Sequence, residues 1–234
     1  MIKGIIERYS ASKKGKVSFV QIGAHDGKSQ DYIYPFIKKY NWGGYRIEPM
    51  PQLFHALSSR HAKDKNIKCL NVAISDQDGE AEIYYVMDSE DNPLFANHLN
   101  SFSKEVILKH KEKIPNLIDK IDSILIDTLT WNTFIASEGL NQVDAIFIDT
   151  EGYDYEILKQ IDLVQLQIDF VVFEHKHLEK EDLMSCLKGF HDMCYHIIVD
   201  EQDTMAVSPK LFELLFVMNS SSETLRSKIF NHFK

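Results

Sequence analysis

Residues 17–27 read VSFVQI followed by GAHDG. A short apolar run that ends at a glycine predicts a strand entering a tight turn, here at Gly23. The pattern repeats on either side of it. Downstream, Asp31 to Tyr40 places Ile33, Phe36, Ile37 and Tyr40 at helical spacing, and Pro35 limits how early that helix starts. A second strand is expected at 44–47, stopped by Glu48-Pro49, then a helix over 52–60 and a third strand over 67–74. Ala81, Ile83 and Tyr85 alternate with Glu80, Glu82 and Tyr84, the signature of a half-exposed strand. Residues 88–100 read as a loop and 102–113 as a helix, followed by a short strand at 124–126 and a helix at 129–135. VDAIFI (143–148) and the run 168–173 are core strands, with helices expected over 153–161 and 179–190. Strands at 196–199, 204–207 and 213–218 complete the sheet, the last two pairing as an antiparallel hairpin. Upstream, Lys3 to Lys14 forms an opening helix. At the far end, Ser220 and Glu223 have capping-box spacing ahead of Leu225, Ile229 and Phe233. Strands alternating with helices indicate an α/β fold with a doubly wound, mostly parallel sheet. No linker divides the chain, so residues 1–234 are expected to form a single domain, with an inserted substrate or lid loop around 88–113.

Composition narrows the classes of function. Hydrophobic residues make up 44% of the 234, enough to bury a core, which excludes wholesale disorder. Acids outnumber bases 35 to 26, a balance that argues against sequence-independent nucleic-acid binding and against anionic membrane surfaces. Cys69, Cys186 and Cys194 make no disulfide framework, so reduced thiols and a cytoplasmic location are expected. Met1 to Lys16 lacks the apolar segment of a signal peptide, and no apolar run approaches the length of a membrane span.

In a doubly wound sheet, ligands bind beyond the carboxyl ends of the strands. The residues there are Gly23 to Gly27 after the first strand, Glu48 after the second, Ser75 and Asp76 after the third, Asp149 to Gly152 after the fourth, and Glu174, His175 and His177 after the fifth. The G-x-x-x-G spacing of the first loop suits a close backbone approach to a ligand, although a strand-to-helix turn needs glycine for its own sake. It is not the dinucleotide fingerprint. Glu48 is positioned to accept both hydroxyls of a ribose; the alternative is a solvated strand end. Asp149 and Glu151, two apart, imply a metal, a cation or a proton to move; the alternative is acids complementing a helix N-terminus. His175 and His177 have spacing compatible with metal ligation, with no third ligand evident, and an exposed histidine pair is also ordinary polar surface.

These stretches together resemble one family. VSFVQIGAHDGKSQD, YRIEPMPQLFHAL, LNVAISDQDGEAEIYY, HLNSF, DTLTWNTFI, VDAIFIDTEGYDYEILKQID and FVVFEHKHL are similar, in order, to the FkbM family of S-adenosylmethionine-dependent methyltransferases. The resemblance implies a class I, Rossmann-like methyltransferase fold: a seven-stranded sheet with an antiparallel C-terminal hairpin. It implies that Gly23, Ala24, His25, Asp26 and Gly27 contact the methionine part of S-adenosylmethionine. Glu48, followed by Pro49, would hold the ribose. Ala73, Ser75 and Asp76 would edge the adenine, and Asp149 would line the reaction centre. Many methyltransferases of this fold carry an acid where Gln21 stands; an amide can bond an ammonium or a backbone group without supplying charge. The activity implied is O-methylation of a hydroxyl on a sugar, glycan or small natural product.

An alcohol is a poor nucleophile, so a base beside it helps. His175 is the first candidate and Asp149 or Glu151 the second, with Glu174 as a partner. A divalent metal held by Asp149 and Glu174 is a less favoured route to the same end. Asn97, His98 and Ser101, within the polar stretch 92–101, are the substrate-contact candidates, against a surface insertion. The apolar face of the last helix offers a homodimer contact. Two rival readings remain: a nucleotide-sugar glycosyltransferase using Asp149 and Glu151 with a metal, and a non-catalytic binding module on the same fold.

Overall fold

The structure is a computed structural model that describes residues 1–217 apart from Gly15 and Gln30. The chain opens with helix α1 (Ile2–Ser12), strand β1 (Ser18–Ile22), helix α2 (Tyr34–Tyr40), strand β2 (Gly43–Ile47), helix α3 (Pro51–His61) and strand β3 (Ile67–Leu70). Next come β4 (Ala73–Ile74), β5 (Gly79–Val86), β6 (Asn100–Ser101), α4 (Lys104–Leu108), α5 (Leu117–Lys120) and β7 (Ile121–Leu129). Helix α6 (Trp131–Ser137), β8 (Ala145–Ile148), α7 (Asp154–Leu158), β9 (Phe170–Glu174) and α8 (Lys180–Asp192) follow. Strands β10 (His196–Val199) and β11 (Asp203–Val207) lead into α9 (Pro209–Phe212).

Seven strands form the main sheet in the order β10-β11-β9-β8-β1-β2-β3. All neighbours are parallel except β11, which runs antiparallel to both β9 and β10. Its central strands are buried on both faces, which is why they read as unbroken apolar runs. Alternate side chains separate into two cores. Val20, Ile22, Ile146, Ile148, Val171 and Phe173 pack with Trp131, Phe134 and Phe190. Phe19, Ala145, Phe147, Phe170 and Val172 pack on the opposite face with Ile6, Tyr9, Ile37 and Trp42. The strand order reverses between β1 and β8, and that switch point opens a crevice at their carboxyl ends.

Several expectations need correction. The apolar run 67–74 is not one strand: the chain leaves the main sheet after Leu70, where the Asn71 amide donates to the Glu48 and Pro49 carbonyls at 2.9 and 2.8 Å. Ala73–Ile74 then joins a separate sheet, β4-β7-β5-β6. The strand expected at 124–126 runs from Ile121 to Leu129, paired with β5 along its length. The following helix starts at Trp131 because Thr130 caps it, accepting from Thr133 N at 3.2 Å. The expected helix 102–113 is regular only over Lys104–Leu108, with turns leading to Pro115. The C-terminal hairpin exists, but β10 and β11 form it. Residues 213–217 are helical rather than extended: Ser208 caps the segment and Leu211 and Leu215, one turn apart, are both buried. The helix expected from Ser220 lies outside the described residues. No helix among the described residues is long and apolar enough to cross a membrane.

Candidate active site

A cleft lies at the carboxyl ends of β1, β2 and β8, with the second sheet forming its other wall. It encloses about 1110 Å³, open mouth included. Gln21, Gly23, Ala24, His25, Glu48, Pro49, Ala73, Ser101, Asp149 and Glu151 all line it. So do residues not singled out from the sequence: Asp31, Tyr32, Asn100, Phe102 and Asp203. Asp26, Gly27, Ser75, Asp76, Glu174 and His175 stand outside its wall. Asn97 and His98 fall in the short turn Leu94–His98, and their side chains are outside the described residues.

The turn after β1 is held from below. Gly23 sits at φ +80°, and a Cβ there would lie 1.8 Å from the Asp149 carbonyl oxygen, so only glycine lets β1 and β8 close at this level. The N–H groups of Gly23 and Ala24 both donate to the Ile47 carbonyl at 3.0 Å. Asp26 clamps the turn rather than the cleft, accepting from the N–H groups of Lys28 and Ser29 at 2.8 and 2.7 Å. Burial works to raise this carboxyl, but those donors outweigh it and hold Asp26 below the usual range.

Glu48 is 2% exposed. Its Oε2 accepts from the His25 N–H at 2.8 Å and its Oε1 from the Met50 N–H at 2.9 Å. Each carboxylate oxygen has a second lone pair, so both remain able to accept from a ligand. Burial pushes the group up to about 7, the two backbone donors offsetting part of that rise.

Gln21 serves a buried cation. Its Oε1 accepts from Arg46 Nε at 2.8 Å. Arg46 is fully buried, pairs with Asp31, and donates to the Gly27 carbonyl at 3.0 Å and to His61 Nε2 at 2.7 Å. Asp31 already balances the guanidinium charge, so an uncharged amide suffices at position 21. Asp31 was missed because its partner lies fifteen residues away on β2, and no local pattern marks the pair.

Acidic groups converge at the β8 and β9 ends. Asp149 is open to the cleft yet flanked by protein on its other sides. Burial and the neighbouring Glu174, Glu151, Asp154 and Asp203 carboxylates hold it well above the ordinary aspartate value. Burial is the leading cause for the others as well: Glu151 rises to about 7, Asp154 to about 6 and Glu174 to about 8. Asp154 accepts from Thr150 Oγ1 at 2.8 Å and ties the loop to α7. His177 Nε2 lies 3.1 Å from Glu151 Oε2 and 3.7 Å from Glu174 Oε2, and burial lowers it to about 4.

The histidine paired with Glu151 and Glu174 is His177, whereas His175 acts on Asp203. His175 Nδ1 lies 3.0 Å from Thr204 Oγ1, and its N–H donates to the Gln202 carbonyl, which turns it toward the hairpin. Ser101 is buried and its hydroxyl donates to the Glu151 carbonyl at 2.8 Å, so it holds the acidic loop as well as lining the cleft. Asp76 accepts from the Tyr153 hydroxyl at 3.0 Å, outside the cleft. Glu151, Glu174 and His177 each offer one ligand atom within 4.8 Å of the others.

The sheet order, the single antiparallel strand β11 next to the edge and the cleft at the switch point define a class I, Rossmann-like methyltransferase fold. The chain belongs to the FkbM methyltransferase family: the family's Methyltransferase FkbM domain matches residues 21–200. Among solved structures, the methyltransferase FkbM from Methylobacillus flagellatus KT is similar with a TM-score of 0.53 and 14% identity, covering 82% of this chain and 44% of that one. This chain thus spans less than half the length of that relative. The METTL16 MTase domain gives a TM-score of 0.48 at 12% identity, covering 88% and 66% of the two chains. A precorrin-6y C5,15-methyltransferase from Geobacter metallireducens GS-15 gives 0.41 at 11%, covering 86% of each. No curated protein sequence matches the chain.

Proposed function

We propose that this protein transfers a methyl group from S-adenosylmethionine to a hydroxyl of a sugar, glycan or small natural product. The observation that carries the reading is Glu48: a carboxylate buried in the cleft wall, each oxygen fixed by one backbone N–H and able to accept one hydroxyl of a ribose. The Gly23–Gly27 turn beside it offers close backbone approach to the methionine part, and Ala73 with Ile74 offers an apolar edge for the adenine. When bound, the cofactor supplies an electrophilic methyl carbon. The protein's task is to align an acceptor oxygen with the sulfur–carbon bond and to exclude water. As the oxygen–carbon bond forms and the sulfur–carbon bond breaks, the hydroxyl proton passes to an Asp149 carboxylate oxygen. Asp149 takes this role in preference to His175 because Asp149 lines the cleft and His175 does not.

Calorimetry and thermal shift with S-adenosylhomocysteine test the reading. At ~100 times its Kd a ligand stabilises by ~2.7 kcal/mol, which a melt resolves. Stabilisation by S-adenosylhomocysteine is expected. Stabilisation by a sugar nucleotide with Mn²⁺ and none by S-adenosylhomocysteine would overturn the reading in favour of glycosyl transfer.

A further inference from the structure

We infer that Glu151, Glu174 and His177 form a binding site for one divalent first-row transition-metal ion at the rim of the cleft. The three come from separate places: Glu151 from the loop after β8, where it adopts φ +50°, Glu174 from the last position of β9, and His177 from the turn beyond it. One ligand atom from each lies within 4.8 Å of the others, and the imidazole Nε2 stands 3.1 and 3.7 Å from the two carboxylate oxygens. Two ligands ~2.1 Å from a common ion and ~95–110° apart lie ~3.1–3.4 Å from each other, so these gaps need little adjustment to close on an ion.

A second observation points to a ligand. Glu174 is 8% exposed, and its Oε2, like Glu151 Oε2, is buried without a hydrogen bond among the described residues. A buried carboxylate oxygen left without a donor is costly, and a cation removes that cost. Two carboxylates and a neutral imidazole balance a 2+ charge. One imidazole with two carboxylates suits Mn²⁺, Fe²⁺ or Zn²⁺ better than Mg²⁺ or Ca²⁺, which prefer all-oxygen sets. The His110 ring lies 5.9 Å from that of His177, and its Nε2 also has no hydrogen bond among the described residues, so it stands as a packing partner that orients the ligand histidine. Because Glu151 also lines the cleft, an ion here has a face toward it. On the methyl-transfer reading, which this use of the ion rests on, an acceptor hydroxyl at that face would be polarised for attack.

The test uses the full chain, stripped with EDTA and desalted, titrated with Mn²⁺ while the free-ion electron paramagnetic resonance signal is followed. S-adenosylhomocysteine affinity is measured separately by calorimetry. One Mn²⁺ per chain is expected, weakened at least about tenfold by Glu174→Gln and by His177→Ala, with S-adenosylhomocysteine affinity retained. Absence of Mn²⁺ binding to the unaltered chain at millimolar ion overturns the site without reference to any variant. Binding that survives both substitutions overturns it as well. Mn²⁺ binding with no S-adenosylhomocysteine binding supports the ion site and overturns the methyl-transfer reading, so the two failures are distinguishable.

Discussion

Replacing Glu48 by Gln is the sharpest test of the cleft as an adenosyl site. The wild-type carboxylate satisfies four demands: two backbone N–H groups, from His25 and Met50, and the two ribose hydroxyls of the proposed ligand. Gln presents one oxygen and one NH₂. Its NH₂ must face one of those N–H groups, and one ribose hydroxyl is left without an acceptor. The loss is that of a hydrogen bond to a charged group, about 1.5–3 kcal/mol, or roughly 13- to 160-fold in Kd for S-adenosylhomocysteine.

A pH series adds a signature that packing damage does not imitate. Burial raises Glu48 to about 7 in the free protein. Two donating hydroxyls favour the ionised form, so binding expels a proton wherever Glu48 is still protonated. Affinity is therefore full above about pH 7 and falls as pH drops below it, by up to tenfold per unit. Glu151, Asp154 and Glu174 also titrate near this range. The relevant quantity is thus the difference between wild type and Glu48→Gln, measured calorimetrically in buffers of different ionisation enthalpy. Equal affinities for the two proteins, or equal proton release, would refute the ribose assignment.

Gly23→Ala places a Cβ 1.8 Å from a backbone oxygen at a positive φ. It should destabilise by more than the ~1–2 kcal/mol of a left-handed alanine, a melting drop beyond about 4 °C; a melt within that margin would show that the turn relaxes. Stability in EDTA should fall as pH rises from about 6.5 to 8, because folded Glu48, Glu151 and Glu174 keep protons that unfolded glutamates lose near ~4.3. Buried neutral His61, His110, His177 and His196 oppose this only below the unfolded histidine value of ~6.5, so a Glu174→Gln melt series with an unchanged slope above it would contradict the burial argument. Asp149→Asn should lower kcat by ~10²–10⁴ with S-adenosylhomocysteine affinity retained; a kcat loss found in His175→Ala and not in Asp149→Asn would return the base to His175.

What was legible from the sequence follows the range of the interactions. Strand ends are local features, so Gly23, Glu48, Asp149 and Glu151 could be placed in one crevice from pattern alone. The second sheet could not. β5 reads as a strand, but its partner β7 begins 35 residues after β5 ends, and nothing in either run names the other. The break after Leu70 depends on the Asn71 side chain reaching the Glu48 carbonyl, a tertiary contact. The choice between His175 and His177 turns on one bend, where the Leu178 N–H closes on the His175 carbonyl at 3.2 Å and buries the later ring among acids. In the sequence, His175 takes precedence because it directly follows Glu174, and His177 enters only through the i, i+2 spacing of the pair.

The charge layout of the cleft suggests how donor and product are told apart. On the β1–β2 side the buried Arg46 is already balanced by Asp31, so Gln21 presents a neutral wall, and on the methyl-transfer reading Glu48 would accept from uncharged hydroxyls. The opposite pole holds Asp149 and Glu151 in the wall with Glu174 behind them, all raised by burial, an effect that the nearby Lys176 offsets only in part at Glu151 and Glu174. A positive sulfonium entering near that pole favours the ionised carboxylates and draws protons off them. After methyl transfer the sulfur is neutral, and that attraction is gone. On the same reading, protons then return to the acids, and the product would keep only its contacts with Glu48, the Gly23–Gly27 turn and the apolar edge. S-adenosylmethionine should therefore bind with more proton release than S-adenosylhomocysteine, and its affinity advantage should grow as pH rises through the range where these acids ionise. Equal proton release for the two ligands would mean that the acidic pole does not sense the sulfur, and its carboxylates would then have to serve the acceptor or a metal ion instead.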